Sequence, residues 1–472
     1  MFNNEFEDNN IGNEFTELIA RYEAMAHSDE RSFFEEEEFE WIIEYYETRN
    51  ELHKALEAAR FGEDQYPFSA LFMLKQAELY FEQRDLKRAL ELLDKAEVLD
   101  SADIEIYLLR AEILTYQTHY QGAIRTLEQV EDMAEGVDKE ELYLSMAEVY
   151  ESWEKFEKVF QSLTRVLALN PSNEEALNRI WFCVDMTEKH GESVALHKQL
   201  IDKDPYSYLA WYNLGQAYMG LEKYDKAAEA FEYVTLINED YDMAYRDWGE
   251  ALIRMQEPEK ALEVFEAALR LAEPYEEIYF GMGVCYEKMG KLSKARYYFR
   301  KAMHLDPYYD EAMYRIADSF KREGKIPDAL QAYKKALKID EQNVIYLKGF
   351  AEMNYLAGQL DEAVVNYRKV IAMQPTVEDH WLTLARYEYE MGAIAQAFAT
   401  CSEGMDHLPD SDILQMHYAA YALAAGLHNE GLIALGNVLE KRPEWFNKVF
   451  EISPALLDDD TVIEAVDQFR QE

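Results

Sequence analysis

Apolar side chains recur along this chain at helical spacing. The segments WYNLGQAYMGLEKYDKAAEAFEYV from Trp211, YRDWGEALIRMQEPEKALEVFEAAL from Tyr245 and YFGMGVCYEKMGKLSKARYYFRKAM from Tyr279 align without gaps at a spacing of 34 residues. Extended both ways, that register gives twelve units, beginning at Glu36, Ala70, Ile104, Glu140, Glu174, Tyr208, Asp242, Glu276, Asp310, Val344, Glu378 and Asp412. One junction breaks it, where two extra residues fall in EDMAEGVDK before Glu140. Within a unit, apolar positions 4, 7–8 and 11 form one stripe of a first helix, and positions 20, 24 and 27 one stripe of a second. Each unit therefore predicts two helices.

Small residues mark where the two helices cross. Position 8 reads Ala77, Ala111, Ala147, Gly215, Gly249, Gly283, Ala317, Ala351, Ala385 and Ala419. Position 20 reads Ala55, Ala89, Ala123, Ala227, Ala261, Ala295, Ala329, Ala363 and Ala397. Such residues let helix axes approach closely, and a large side chain at position 24 (Phe231, Phe265, Phe299, Tyr333, Tyr367) fills the space beside the contact. Proline stands at position 32 in seven units (Pro67, Pro171, Pro205, Pro307, Pro375, Pro409, Pro443) and ends the second helix. A lone pair cannot bury both faces of its helices, so neighbours must stack.

This pattern resembles the tetratricopeptide repeat from about Glu36 to Trp445, best where Trp211, Leu214, Gly215, Tyr218, Ala227 and Phe231 occupy signature positions. The resemblance implies an all-α fold, a right-handed superhelical α-solenoid of antiparallel helix pairs, with the first helices lining a concave groove that holds peptides or partner proteins. Two units depart from the pattern. Ile43 occupies position 8 of the first, and the fifth has Trp181 at 8, Ser193 at 20 and His197 at 24. An indole does not fit where glycine is wanted, so an irregularity is expected around residues 174–205, unless small Ser193 compensates.

The expected organisation is an acidic segment with a capping helix over residues 1–35, twelve repeats over 36–445, and capping helices over 446–472. Ile11, Phe15, Leu18, Ile19 and Tyr22 share one face of the N-terminal helix, and Ser32 followed by Glu35 suggests the next helix start. At the other end, Phe446, Val449, Phe450 and Ile452 precede a break at Pro454. A final helix would then carry Val462, Ile463, Val466 and Phe469 behind the Asp458–Asp460 run.

Charge narrows the choice of partner. Against 47 basic residues stand 93 acidic ones, a formal net charge of −46. Such a field repels nucleic acid and anionic membrane and attracts basic protein, although it also keeps a long array soluble. The three cysteines, Cys183, Cys285 and Cys401, are scattered and unpaired in pattern, which fits a reducing cytoplasm and offers no zinc site. The polar N-terminus carries no signal-peptide pattern and no stretch is apolar enough to span a membrane.

By the resemblance, positions 2, 5, 9 and 12–13 of the first helices line the groove. Glu37, Glu40, Glu44 and Glu47 lie there in the first unit, and position 9 continues as Glu78, Glu112 and Glu148, with Glu105, Glu141, Glu151 and Glu175 nearby. An acidic strip is expected, though glutamate also suits any exposed helix face. Farther along, Tyr212, Arg246, Phe280 and Tyr314 bring rings and positive charge to the same face, with Gln216, Lys321 and Arg322. The first repeats lack the lysine–asparagine clamp with which some relatives grip a C-terminal carboxylate.

No HExxH, GxSxG, GxGxxG or phosphate loop is present. His380, His407 and His417 lie near Cys401 in sequence but at different helix phases, and Cys401 occupies core position 24. The reading is a non-catalytic scaffold, without metal or cofactor, that binds a protein or peptide, basic at the acidic end. A self-associating structural subunit and a peptide-sensing regulator are the alternatives, and the oligomeric state is open.

Overall fold

The computed structural model describes residues 9–26, 32–271 and 275–470. After an N-terminal helix, Asn9–Ala26, come twelve pairs of helices, from Glu36–Thr48 with Leu52–Gln65 to Asp412–Ala424 with His428–Lys441. No strand occurs among the described residues. Short turns join the two helices of a pair, so they run antiparallel. The chain divides into two compact bodies, Met1–Glu239 and Asp240–Glu472, which hold six pairs each. Each body is an all-α stack of helix pairs.

The small residues sit at the helix crossings as their register required. Ala77, Ala111, Ala147, Ala317, Ala351, Ala385 and Ala419 at position 8, and Ala55, Ala89, Ala123, Ala227, Ala261, Ala295, Ala329, Ala363 and Ala397 at position 20, are all fully buried. Ile43, which replaces the small residue in the first pair, is buried as well.

Local hydrogen bonds explain where the helices stop and start. The side chains of Asp100, Asn170, Asp204, Asp306 and Asp340, just past the second helices, each accept the backbone N–H two residues on. These Asx turns reverse the chain, and position-32 proline cannot continue the helix. The next helix is then capped by Asp103, Asn173, Ser207, Asn343 or Ser411, whose side chains accept from its first turn. The start expected at Ser32 falls instead at Glu35, whose N–H donates to the Glu38 carboxylate at 2.9 Å. The two extra residues before Glu140 are absorbed by a longer helix, Gly136–Ser152.

At the N-terminal end Leu18, Ile19, Tyr22 and Met25 are buried. The Tyr22 ring packs edge-on against Phe34, and Arg21 donates to Glu38 at 2.6 Å. The side chain of Ile11 and the acidic residues 1–8 lie outside the described residues. At the C-terminal end Val449, Leu456, Val462 and Val466 close over Leu435, Val438 and Leu439 of the last pair. Asp459 accepts the N–H groups of Thr461 and Val462 at the start of the final helix.

Candidate functional site

In the first body the leading helices of four successive pairs place Glu44, Glu78, Glu112 and Glu148 at one register position. Their charges feel one another. Burial first, and then the charges of Glu148 and Glu78, hold the Glu112 carboxyl above its ordinary value. Glu40 is raised by burial and by Glu37, Glu105 and Glu36, against the opposing charge of Lys75. Glu47 is raised by burial and by Glu78, Glu82 and Glu44, and Glu141 by burial with Glu105 and Asp138. Like charges from different helices therefore face a common space. Glu40, Glu44 and Glu78 are half-buried, whereas Glu37, Glu112 and Glu148 are more open to solvent, Glu112 being covered on one side.

Two cations inside this strip were not singled out from sequence. Lys75 donates to Glu78 at 2.9 Å; burial works to lower its affinity for the proton, but Glu78, Glu47 and Glu105 outweigh that and raise it. Arg179 meets Glu151 at 2.9 Å and Glu175 at 2.5 Å, and so neutralises the strip at the fifth pair. Both stand at position 6 and pair with an acid on their own helix, Lys75 with Glu78 and Arg179 with Glu175, while Arg179 also reaches Glu151 of the preceding pair. Among the described residues Glu44, Glu112 and Glu148 form no ion pair. Beside the strip lies a cleft of about 670 Å³ lined by Tyr66, Phe68, Leu71, Leu74 and Leu99 together with Glu36, Asp100, Asp103 and Glu105.

The aromatic and basic candidates are differently placed. Tyr212 corrects the expectation of an open groove residue: it is buried, its ring 5.7 Å from Phe231 and its hydroxyl accepting from Gln216 at 2.8 Å. Position 5 there turns towards the core because a large ring gains more by packing than by exposure. In the second body Arg246 donates to buried Asp247 at 2.7 Å. Phe280 packs between Phe299 and Tyr309 with the Arg315 guanidinium 5.4 Å from its ring centre. Tyr314 stacks on Tyr346 at 5.3 Å. Arg315 and Arg322 both bind Glu287, and Lys321 binds Glu352 at 2.6 Å, so these positive charges already have partners.

The fifth pair is irregular, as its sequence suggested. Its helices, Glu174–Thr187 and His190–Lys203, scarcely touch each other, whereas each packs on flanking helices. Trp181 is 46% exposed where the equivalent alanines are fully buried. Asn213 of the next leading helix donates to the Leu177 carbonyl at 2.7 Å and ties the two leading helices directly.

The three cysteines are packed away, whereas the His407 ring is exposed and stacks on Trp381. Cys183, Cys285 and Cys401 are free and buried, and burial pushes the Cys183 and Cys285 thiols up to about 12 and Cys401 up as well. His417 is held down to about 4 by burial and by Lys448. No group of histidine, cysteine and carboxylate side chains suited to a metal occurs among the described residues. No helix among them is long and apolar enough to cross a membrane.

Comparison with curated proteins gives no significant sequence match. Among solved structures, the chain is similar to the APC/C hetero-tetramer Cut9–Hcn1, with 12% identity, 86% of this chain and 99% of that one covered, and a TM-score of 0.37. It is also similar to PilW, a type IV pilus biogenesis factor, with 21% identity, coverage of 46% and 99%, and a TM-score of 0.42. YrrB, described as a TPR protein with an unusual peptide-binding site, matches with 17% identity, coverage of 38% and 92%, and a TM-score of 0.32. None of these likenesses assigns a partner. Sequence profiles for the tetratricopeptide repeat match residues 41–104, 208–241, 240–307 and 314–378. With those matches falling among its twelve helix pairs, the chain belongs to the tetratricopeptide repeat family.

Proposed function

We propose that this protein is a non-catalytic, cytoplasmic interaction scaffold whose first body holds a basic peptide or tail along its leading helices. One observation carries the reading: among the described residues Glu44, Glu112 and Glu148 stand in a row without ion pairs, and the Glu112 carboxyl is raised by burial and then by Glu148 and Glu78. Like charges held together are relieved by a cation, so a lysine- or arginine-rich segment gains electrostatic energy there. The adjoining cleft supports the same partner, because a lining that mixes apolar side chains with carboxylates suits the long stem and charged tip of such side chains. Head-to-tail self-association is less well supported, since Arg315, Lys321 and Arg322 are engaged within their own body.

The test is fluorescence anisotropy with a fluorescein-labelled lysine-rich peptide. Changing Glu44, Glu78, Glu112 and Glu148 together to glutamine should weaken binding by about tenfold or more and flatten its salt dependence. Unchanged affinity and unchanged salt dependence in a folded variant would overturn the reading.

A further inference from the structure

The opened fifth pair leaves a surface that the acidic strip does not explain. Trp181, Phe182 and Met186 are exposed by 46%, 45% and 54% on one stretch of helix. Phe182 occupies the register position that carries glutamate in each of the first four pairs. The patch is walled: the Phe182 ring stands edge-on to Phe156 at 5.5 Å and to Trp181 at 6.0 Å.

Its exposure has a cause in the packing. Helix His190–Lys203, which would cover Trp181 in a regular pair, sits instead against the next leading helix. There the His190 ring lies where a Cβ on Gly220 would need to be, within 2.4 Å. Ser193 and His197 face each other at 3.1 Å within their own helix rather than meeting Trp181. The nearby charges are also settled, because Arg179 binds both Glu151 and Glu175. The row thus passes from carboxylates, through Arg179 with its two acids, to an apolar end beside exposed Asp185.

Resting on the reading given under Proposed function, we propose that Trp181, Phe182 and Met186 form an anchor site for a bulky apolar side chain carried by the same basic segment. A second copy of this chain is the poorer occupant, since each copy bears a formal charge of −46 and the two repel. A basic segment is drawn to the row beside the patch. Packed helices lie about 10 Å apart, and an extended chain advances about 3.3 Å per residue. Basic residues about three apart therefore match successive pairs, with the anchor about three residues beyond the last.

The experiment uses the full chain and two fluorescein-labelled peptides, each synthesised in both sequence orders. One carries lysine at every third position followed by leucine at the next such position; the other has serine in place of that leucine. In one of the two orders the leucine peptide should bind wild type about tenfold more tightly than its serine counterpart, a ratio that persists at high salt. Phe182→Ser should bring that ratio to one and leave the serine peptide's affinity unchanged. Equal affinity of the leucine and serine peptides for wild type overturns the anchor and leaves the acidic groove standing. No binding of any peptide overturns both. Sedimentation showing a wild-type dimer that Phe182→Ser makes monomeric assigns the patch to a second copy and also overturns the anchor.

Discussion

The ring of Phe265 lies so close over Gly249 that a Cβ on that glycine would stand 2.3 Å from it. Gly215 under Phe231 and Gly283 under Phe299 repeat the relationship at 2.5 and 2.4 Å. Where position 8 is alanine in the first body, position 24 holds leucine instead, as in Ala77 with Leu93, Ala111 with Leu127 and Ala147 with Leu163, all buried. The two positions share one volume. Gly249→Ala should therefore cost about 1–3 kcal/mol in urea unfolding, and adding Phe265→Leu should recover much of it. Costs that simply add would show that the two residues are not coupled.

A second regularity sits in the turn between the helices of each pair. Asn50, Arg84, Thr118, Glu154, Glu188, Glu222 and Gln256 all have positive φ, and Gly290, Gly324, Gly358, Gly392 and Gly426 take the same place in the last five pairs. Side chains with a Cβ pay about 1–2 kcal/mol in this left-handed region, and β-branched ones fit it worst. Thr118→Gly should thus raise the urea midpoint, and Gly358→Thr should lower it. A Thr118→Gly variant less stable than wild type would refute the strain at that turn.

Why sequence showed one of these and hid the other is a matter of residue volume. A small side chain at positions 8 and 20 is the only cheap solution to a close helix crossing, so alanine and glycine recur and the period stands out. The left-handed turn is met by seven non-glycine residues of five types, six in the first body and Gln256 in the second, and asparagine, arginine, threonine, glutamate and glutamine leave no common signature. The position-6 cation Arg179 was hidden for another reason: its contact with Glu151 of the preceding pair exists only once the helices pack. Trp181 announced a misfit, but the sequence could not say whether the helices would spread or the indole would turn outwards. Tyr212 was misjudged because periodicity gives a direction around the helix and not the depth of the neighbouring groove.

His197 is fully buried in the fifth pair, with Nδ1 2.8 Å from the Ser193 carbonyl and no partner for Nε2 among the described residues. Nδ1–H donates to that carbonyl, and burial holds the imidazole down to about 4. The folded value lies below the unfolded one, so the neutral ring's contribution is complete above about pH 6.5 and drains away as pH falls towards 4. His197→Leu keeps an apolar side chain at position 24 and removes that loss. Its urea midpoint should exceed that of wild type by more at pH 5 than at pH 7. An equal difference at both values would sink the assignment.

The strip carboxylates have the opposite sign. Burial raises Glu40, Glu47, Glu112 and Glu141, with like charges adding to it, so their contribution to stability is present below the unfolded carboxylate value and lost as pH rises through the folded one. A bound cation reverses the like-charge part and pulls these values down. Binding of a lysine-rich peptide near pH 5 must then expel protons, whereas at pH 8 the carboxylates are already ionised and little is released. Calorimetry in two buffers of different ionisation heat reads this directly: the apparent binding enthalpy should depend on buffer at pH 5 and not at pH 8. Glutamine in place of Glu40, Glu47, Glu112 and Glu141 should remove most of the buffer dependence. Because a peptide held elsewhere would leave the strip's protons in place, a buffer-independent enthalpy at pH 5 would locate the bound peptide away from these glutamates.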